Sequence, residues 1–123
     1  MYTIDTNAFI YYLHGEEGVK KFLDDSLRTA RPLYISAITI TELLRFPNLT
    51  LDEENFILDI VPAFSTIPVD AHIAKGAGRI GRIYNLKVAD SIIAATALFT
   101  GSAVVTRNVR DFKRVVGLRV ESI

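Results

Sequence analysis

Short apolar, β-branched runs alternate with longer stretches of helical period along the 123 residues of the chain. Runs at 2–4, 33–35, 65–69 and 103–105 read as strands, with a weaker fifth at 118–120. The first four start about 30 residues or slightly more apart, the length of a strand-helix-strand unit. Between them, apolar residues recur at helical spacing in 8–13 and 19–27, then in 37–46 and 53–61, then in 71–84 and 88–99. Thr50-Leu51-Asp52-Glu53 has the form of a capping box, Ser36 and Asp70 are placed as N-caps, Pro32 and Pro47 interrupt periodic segments, and Gly101 follows the last long helix as a stop. Regular alternation of strand and helix predicts an α/β fold: a three-layer α/β/α sandwich on a mainly parallel sheet of four to five strands. No linker or low-complexity segment divides the chain, so residues 1–123 are expected to form a single domain.

Composition narrows the chemistry. There is no cysteine, which excludes a disulfide framework, a thiolate metal site and a cysteine nucleophile, and fits a reducing compartment. The uncharged stretch 91–106 is broken at Gly101-Ser102 and falls short of the roughly 20 residues a membrane span requires. The N-terminus lacks a basic segment followed by an apolar one, so a soluble, cytoplasmic protein is expected, with no membrane association. Net charge is zero but polarised: residues 1–74 carry five Lys/Arg against eleven Asp/Glu, and residues 75–123 carry nine against three. That asymmetry could set a basic surface beside an acidic pocket, as a phosphodiester partner would need, although uneven charge also occurs on ordinary solvated surfaces.

Four acids stand where a parallel sheet could gather them. Asp5 ends the first strand, and ligands of open parallel sheets bind beyond the strand C-termini. It can equally cap the helix that follows, while Thr6 and Asn7 offer polar groups to orient it. Glu42 lies on an apolar helix, facing either solvent or the sheet edge. Asp90 opens a helix without charge from Ser91 to Phe99, where an ionised carboxylate must be met by the helix dipole, hydrogen bonds or a cation. Asp111 follows the fourth strand, and Asn108 could cap a short turn that carries it. Clustered carboxylates raise one another's pKa, so several held ionised together imply a hard divalent cation.

Other signals are weaker. Gly76-Ala77-Gly78-Arg79-Ile80-Gly81 satisfies the dinucleotide-binding pattern, but it lies within a helix already running from Asp70, and no acid follows roughly 20 residues on. Its small residues, with Ala74, are expected instead to admit a close neighbouring helix, within the chain or across a dimer. The apolar stretch 92–99 reads as core. The only histidines, His14 and His72, suggest neither a histidine nuclease nor a Ser-His-Asp triad.

In combination, Asp5-Thr6-Asn7, Thr41-Glu42, Ala89-Asp90-Ser91-Ile92-Ile93-Ala94-Ala95-Thr96-Ala97 and Thr106-x-Asn108-x-x-Asp111-Phe112 resemble the PIN-domain ribonucleases, especially the VapC toxins of toxin–antitoxin pairs. The resemblance spans nearly the whole chain. It implies a PIN fold and Mg²⁺- or Mn²⁺-dependent endonucleolytic cleavage of RNA, with Asp5, Glu42, Asp90 and Asp111 as metal-holding catalytic acids. Thr6, Asn7, Thr106 and Asn108 would support them, and Arg45, Lys87, Arg107, Arg110, Lys113 and Arg114 are candidates for RNA phosphate contacts. A homodimer and a small antitoxin whose segment blocks the acidic site are also implied. Alternatives are a PIN-fold RNA-processing nuclease outside a toxin system and a non-catalytic PIN scaffold. A phospho-aspartyl phosphatase would want a second acid where Asn7 stands.

Overall fold

The computed structural model describes residues Met1–Ile123. Strands β1 (Tyr2–Ile4), β2 (Leu33–Ser36), β3 (Ser65–Ile67), β4 (Ala103–Thr106) and β5 (Val120–Ser122) form one sheet in the order β3-β2-β1-β4-β5, and every pairing is parallel. Helices α1 (Thr6–Leu13) and α2 (Glu17–Arg28) connect β1 to β2. Helices α3 (Ala37–Leu44) and α4 (Leu51–Ile60) connect β2 to β3, α5 (Ala71–Tyr84) and α6 (Val88–Thr100) connect β3 to β4, and the single turn α7 (Val109–Phe112) precedes β5. The chain builds outward from β1 through β2 to β3, then crosses back to lay β4 on β1's other side. The order therefore reverses between β1 and β4, which opens a crevice at their carboxyl ends.

Strand alternation separates two cores. Ile4, Leu33, Ile35 and Val105 pack with Phe9, Leu23, Leu43 and Ile57 from α1–α4, whereas Val104 packs with Ile73, Ile93 and Phe112 from α5–α7. The three-layer sandwich follows from these two faces. Phe9 is fully buried with its ring 5.0 Å from that of Phe64, a burial that contributes about 2–3 kcal/mol. No helix is long and apolar enough to cross a membrane.

Element boundaries follow local chemistry. Thr50 and Glu53 close the reciprocal capping box, Ser36 and Asp70 accept from the backbone N–H groups of Ile38 and Ile73, and Gly101 ends α6 at φ +66°. The third strand stops before Pro68 rather than reaching position 69, because proline has no N–H for the ladder. The fifth lies two residues beyond its predicted place: Gly117, at φ +82°, sits in a turn closed by the Leu118 N–H on the Val115 carbonyl, and strand pairing begins only after it. The segment 92–99 is not all core, since Leu98 and Phe99 are exposed.

The glycine-rich stretch of α5 does admit a neighbouring helix, and that helix is α6 of the same chain. A Cβ on Gly81 would lie 2.9 Å from the Ser91 hydroxyl, and one on Gly76 would touch Ala95 at 3.8 Å. Gly78 and Ala74 point away: Gly78 has open space around it, and both are exposed. Two alanine substitutions three residues apart should therefore have opposite effects. Gly78→Ala should stabilise the protein by about 0.5–1 kcal/mol through helix propensity. Gly81→Ala should destabilise it, because overpacking costs about 1–3 kcal/mol against that same gain. Urea unfolding of the two variants checks the sign of each.

Candidate active site

Asp5 stands where β1 becomes α1. Its backbone N–H donates to the Val105 carbonyl at 3.2 Å, which ties the end of β1 to β4 at the reversal point. Its Oδ1 accepts the Ala8 N–H at 2.7 Å and its Oδ2 accepts the Thr106 hydroxyl at 2.5 Å, so the residue caps α1 and also faces the crevice. Only 3% of Asp5 is exposed. Thr106, fully buried at the end of β4, accepts in turn from the Asn108 backbone N–H at 2.8 Å.

The other acids approach from three directions. Glu42, half-buried on α3, accepts the Thr6 hydroxyl at 2.6 Å, and the Thr6 oxygen is 3.1 Å from the hydroxyl of Thr39. Asp90, half-buried, lies in the first turn of α6, where the helix dipole favours a negative charge. Asp111 on α7 accepts the Asn108 side-chain amide at 3.0 Å and lies 3.6 Å from Arg114. Asn108 holds the N-cap position of α7 but makes no side-chain capping bond; its amide goes to Asp111 instead. Asn7 is exposed at the rim.

Electrostatics join the four acids into one group. Burial pushes the Asp5 carboxyl above its ordinary pKa; hydrogen bonds from Thr106 and Ala8 oppose the shift, and the charges of Asp90 and Glu42 add to it. Asp90 is raised by burial first, then by Glu42 and Asp111, against a smaller pull from Lys87. Asp5 thus feels Glu42 and Asp90, and Asp90 feels Glu42 and Asp111. No three acidic or histidine side chains stand close enough together to form a ready-made metal cage. The donor set nevertheless suits a divalent cation: it is all carboxylate oxygen, and burial, with the neighbouring acids adding to it, raises two of its pKa values. Magnesium commonly keeps several waters and takes only one or two carboxylates directly. The side chains that could hold such an ion are those of Asp5, Glu42, Asp90 and Asp111.

The basic residues divide by engagement. Arg107 is stacked 4.3 Å over the Tyr11 ring, paired with Glu16 and donating to the Ile123 carbonyl, so its guanidinium is tied into the scaffold. Arg114 is paired with Asp111. Arg45, Lys87, Arg110 and Lys113 are exposed. Thr6, Asn7, Glu42 and Arg45 line an open cavity of about 280 Å³, and an apolar one of about 260 Å³ adjoins it along Ile10, Phe46 and Pro47. Thr39 is the site residue that sequence reasoning missed. Its signal was present: it sits three residues before Glu42, on the same face of α3.

Residues 2–118 match the family model described as PIN domain. The chain belongs to the PIN-domain family. This PIN domain is 30% identical over 131 residues to Ribonuclease VapC1 of Rickettsia felis, covering 98% of this chain and 94% of that one. Among solved structures it resembles the toxin-antitoxin complex from Klebsiella pneumoniae, at 26% identity, full coverage of both chains and a TM-score of 0.77. It also resembles DNA-bound VapBC from Salmonella typhimurium, at 26% identity and a TM-score of 0.82 over 98% of this chain and 96% of that one.

The raised carboxyls of this PIN domain have a signed effect on stability. As pH climbs through the ordinary aspartate range, the unfolded chain loses its protons before Asp5 and Asp90 do, so these two groups lower stability through their native pKa values and keep it lower at neutral pH. Asp24 and Asp25, held down by Lys20 and Lys21, act in the opposite sense, their contribution being lost on acidification. Both are common to wild type and variant, so they cancel in a difference. Asp90→Asn should accordingly raise the melting temperature of the metal-free protein at pH 7, and the gain should disappear near pH 3. Melting curves of the two proteins at both pH values check this.

Proposed function

We propose that this PIN domain is a metal-dependent endoribonuclease, acting in the cytoplasm as a single domain over residues 1–123 and as the toxin of a toxin–antitoxin pair. The observation that carries the proposal is the buried Asp5 carboxylate at the crevice between the carboxyl ends of β1 and β4, with Asp90 and Glu42 near enough to add to the upward shift that burial gives it, and Asp111 acting likewise on Asp90. Kinship with a ribonuclease supports the substrate class.

When bound, a cation of the Mg²⁺ or Mn²⁺ type supplies Lewis acidity and lowers the pKa of the attacking water. Asp5, fixed by Ala8 and Thr106, sets the position of the negative field, and Asp90 faces it from α6. Glu42, oriented by Thr6, and Asp111, oriented by Asn108, are placed to accept the proton of the water. Attack at phosphorus breaks the bond to the 3′ oxygen and leaves a 5′-phosphate and a 3′-hydroxyl. Arg45, which lines the cavity beside Glu42, and the exposed Lys87, Arg110 and Lys113 offer phosphate contacts.

A small antitoxin and a homodimer complete the assembly in this reading. Leu13, Leu43, Phe56 and Ile57 line the apolar cavity beside the acids, and Phe46 and Phe56 are about half exposed. A partner segment seated there would reach the acidic pocket from its Phe46 side. One solved relative is described as a toxin-antitoxin complex and another as DNA-bound VapBC, which supports such a partner.

Purified protein incubated with total RNA should cleave it with Mn²⁺ or Mg²⁺, stop on addition of EDTA, and leave 5′-phosphate ends. Asp5→Asn and Asp90→Asn keep side-chain shape while removing charge, and each should lower cleavage by at least about 100-fold with the fold intact by circular dichroism. Full activity in both variants, or fragments ending in a 2′,3′-cyclic phosphate, would exclude the mechanism.

A further inference from the structure

We propose that Thr39 is a positioning residue of the site, acting on Glu42 through Thr6; the inference rests on the nuclease reading above only for its kinetic consequence. Thr39 is fully buried on α3, and Thr6 is 8% exposed at the start of α1. The two hydroxyl oxygens are 3.1 Å apart, and the Thr6 hydroxyl donates to Glu42 Oε1 at 2.6 Å.

Proton counting fixes the direction of this chain. A hydroxyl has one hydrogen and two lone pairs, and an ionised carboxylate only accepts. The proton of Thr6 is committed to Glu42, so the contact between the two threonines is completed by the proton of Thr39. Thr39 donates to Thr6, and Thr6 donates to Glu42. Donation into the Thr6 oxygen polarises its own O–H bond and strengthens the bond to the carboxylate. It also selects one rotamer of Thr6, because only one χ1 well points the oxygen at Thr39 and the proton at Glu42 together.

The same arrangement recurs at Asp5. Thr106 accepts from the Asn108 backbone N–H at 2.8 Å and donates to Asp5 at 2.5 Å. Each of these acids is therefore held by a threonine that is itself held from behind, by a backbone amide in one case and by Thr39 in the other. Thr39 thus does for Glu42 what the rigid backbone at Asn108 does for Asp5. Its hydroxyl touches no substrate or metal position; it works by fixing Thr6.

The test compares Thr39→Val, which keeps shape and removes the hydroxyl, with Thr39→Ser, which keeps the hydroxyl. With threonine methyl groups labelled with ¹³C, the Thr6 methyl should show a single rigid rotamer in wild type and Thr39→Ser and rotamer averaging in Thr39→Val. In the RNA cleavage assay Thr39→Val should lower kcat about tenfold with KM little changed, the size expected for weakening one hydrogen bond to a charged group, and Thr39→Ser should restore it. If valine lowers the melting temperature sharply, Thr39→Ala removes the hydroxyl without that branching and replaces it in both measurements. A Thr6 methyl as rigid without the Thr39 hydroxyl as with it, or equal kcat losses in the valine and serine variants, overturns the proposal. Should wild-type protein cleave no RNA, the nuclease reading fails by itself, and the methyl measurement still decides the role of Thr39.

Discussion

A carboxylate withdrawn from water at the point where a parallel sheet reverses its strand order is the constraint on which this structure turns. Asp5 is tolerated there because it has two donors of its own, the Ala8 N–H and the Thr106 hydroxyl. The first sets the opening turn of α1 and the second locks the end of β4 to the end of β1. Geometry at one side chain thus fixes the relative placement of three elements. The cost of holding charge at this point is visible in its raised pKa, which burial and two acidic neighbours both push upward.

Parallel topology explains why acids so far apart in sequence meet. Every strand ends on the same edge, so the helices that carry Glu42 and Asp111, after β2 and β4, start from the edge at which Asp5 caps α1. Asp90 needs a further device. Helices α5 and α6 form an antiparallel pair, with Gly81 against Ser91 and His72 against Phe99, and the chain reverses at Asn85 with φ +54°. That hairpin returns the start of α6 to the crevice. The α1–α4 layer and the α5–α7 layer each contribute two acids or their supports, so the pocket straddles the sheet edge.

Much of this could be read from residues alone, because period and punctuation are local. The capping box at Thr50 and Glu53, the caps at Ser36 and Asp70 and the stop at Gly101 are short-range devices, and each is present. Asp5 and Asp90 were conspicuous as charges beside apolar runs. What escaped depended on partners distant in sequence. Arg107 looks like a free cation until Glu16 and Tyr11 are brought beneath it, and the side chain of Asn108 looks like a cap until its NH2 group is found turned to donate to Asp111. Thr39 gave only half a signal: its place one turn before Glu42 puts it on that acid's face of α3, but nothing local marks its bond to a hydroxyl 33 residues earlier.

The fastening of Arg107 limits what this surface would offer a polyanion. With Arg107 bound to Glu16 and Arg114 to Asp111, four of the six candidate phosphate-binding cations, Arg45, Lys87, Arg110 and Lys113, are left without an acidic partner. A single strand laid across all four would release counterions in proportion, giving a log–log salt slope of about −3 rather than the roughly −4 that six cations would give. Ionic strength therefore has a smaller grip on this surface than its count of arginines and lysines suggests.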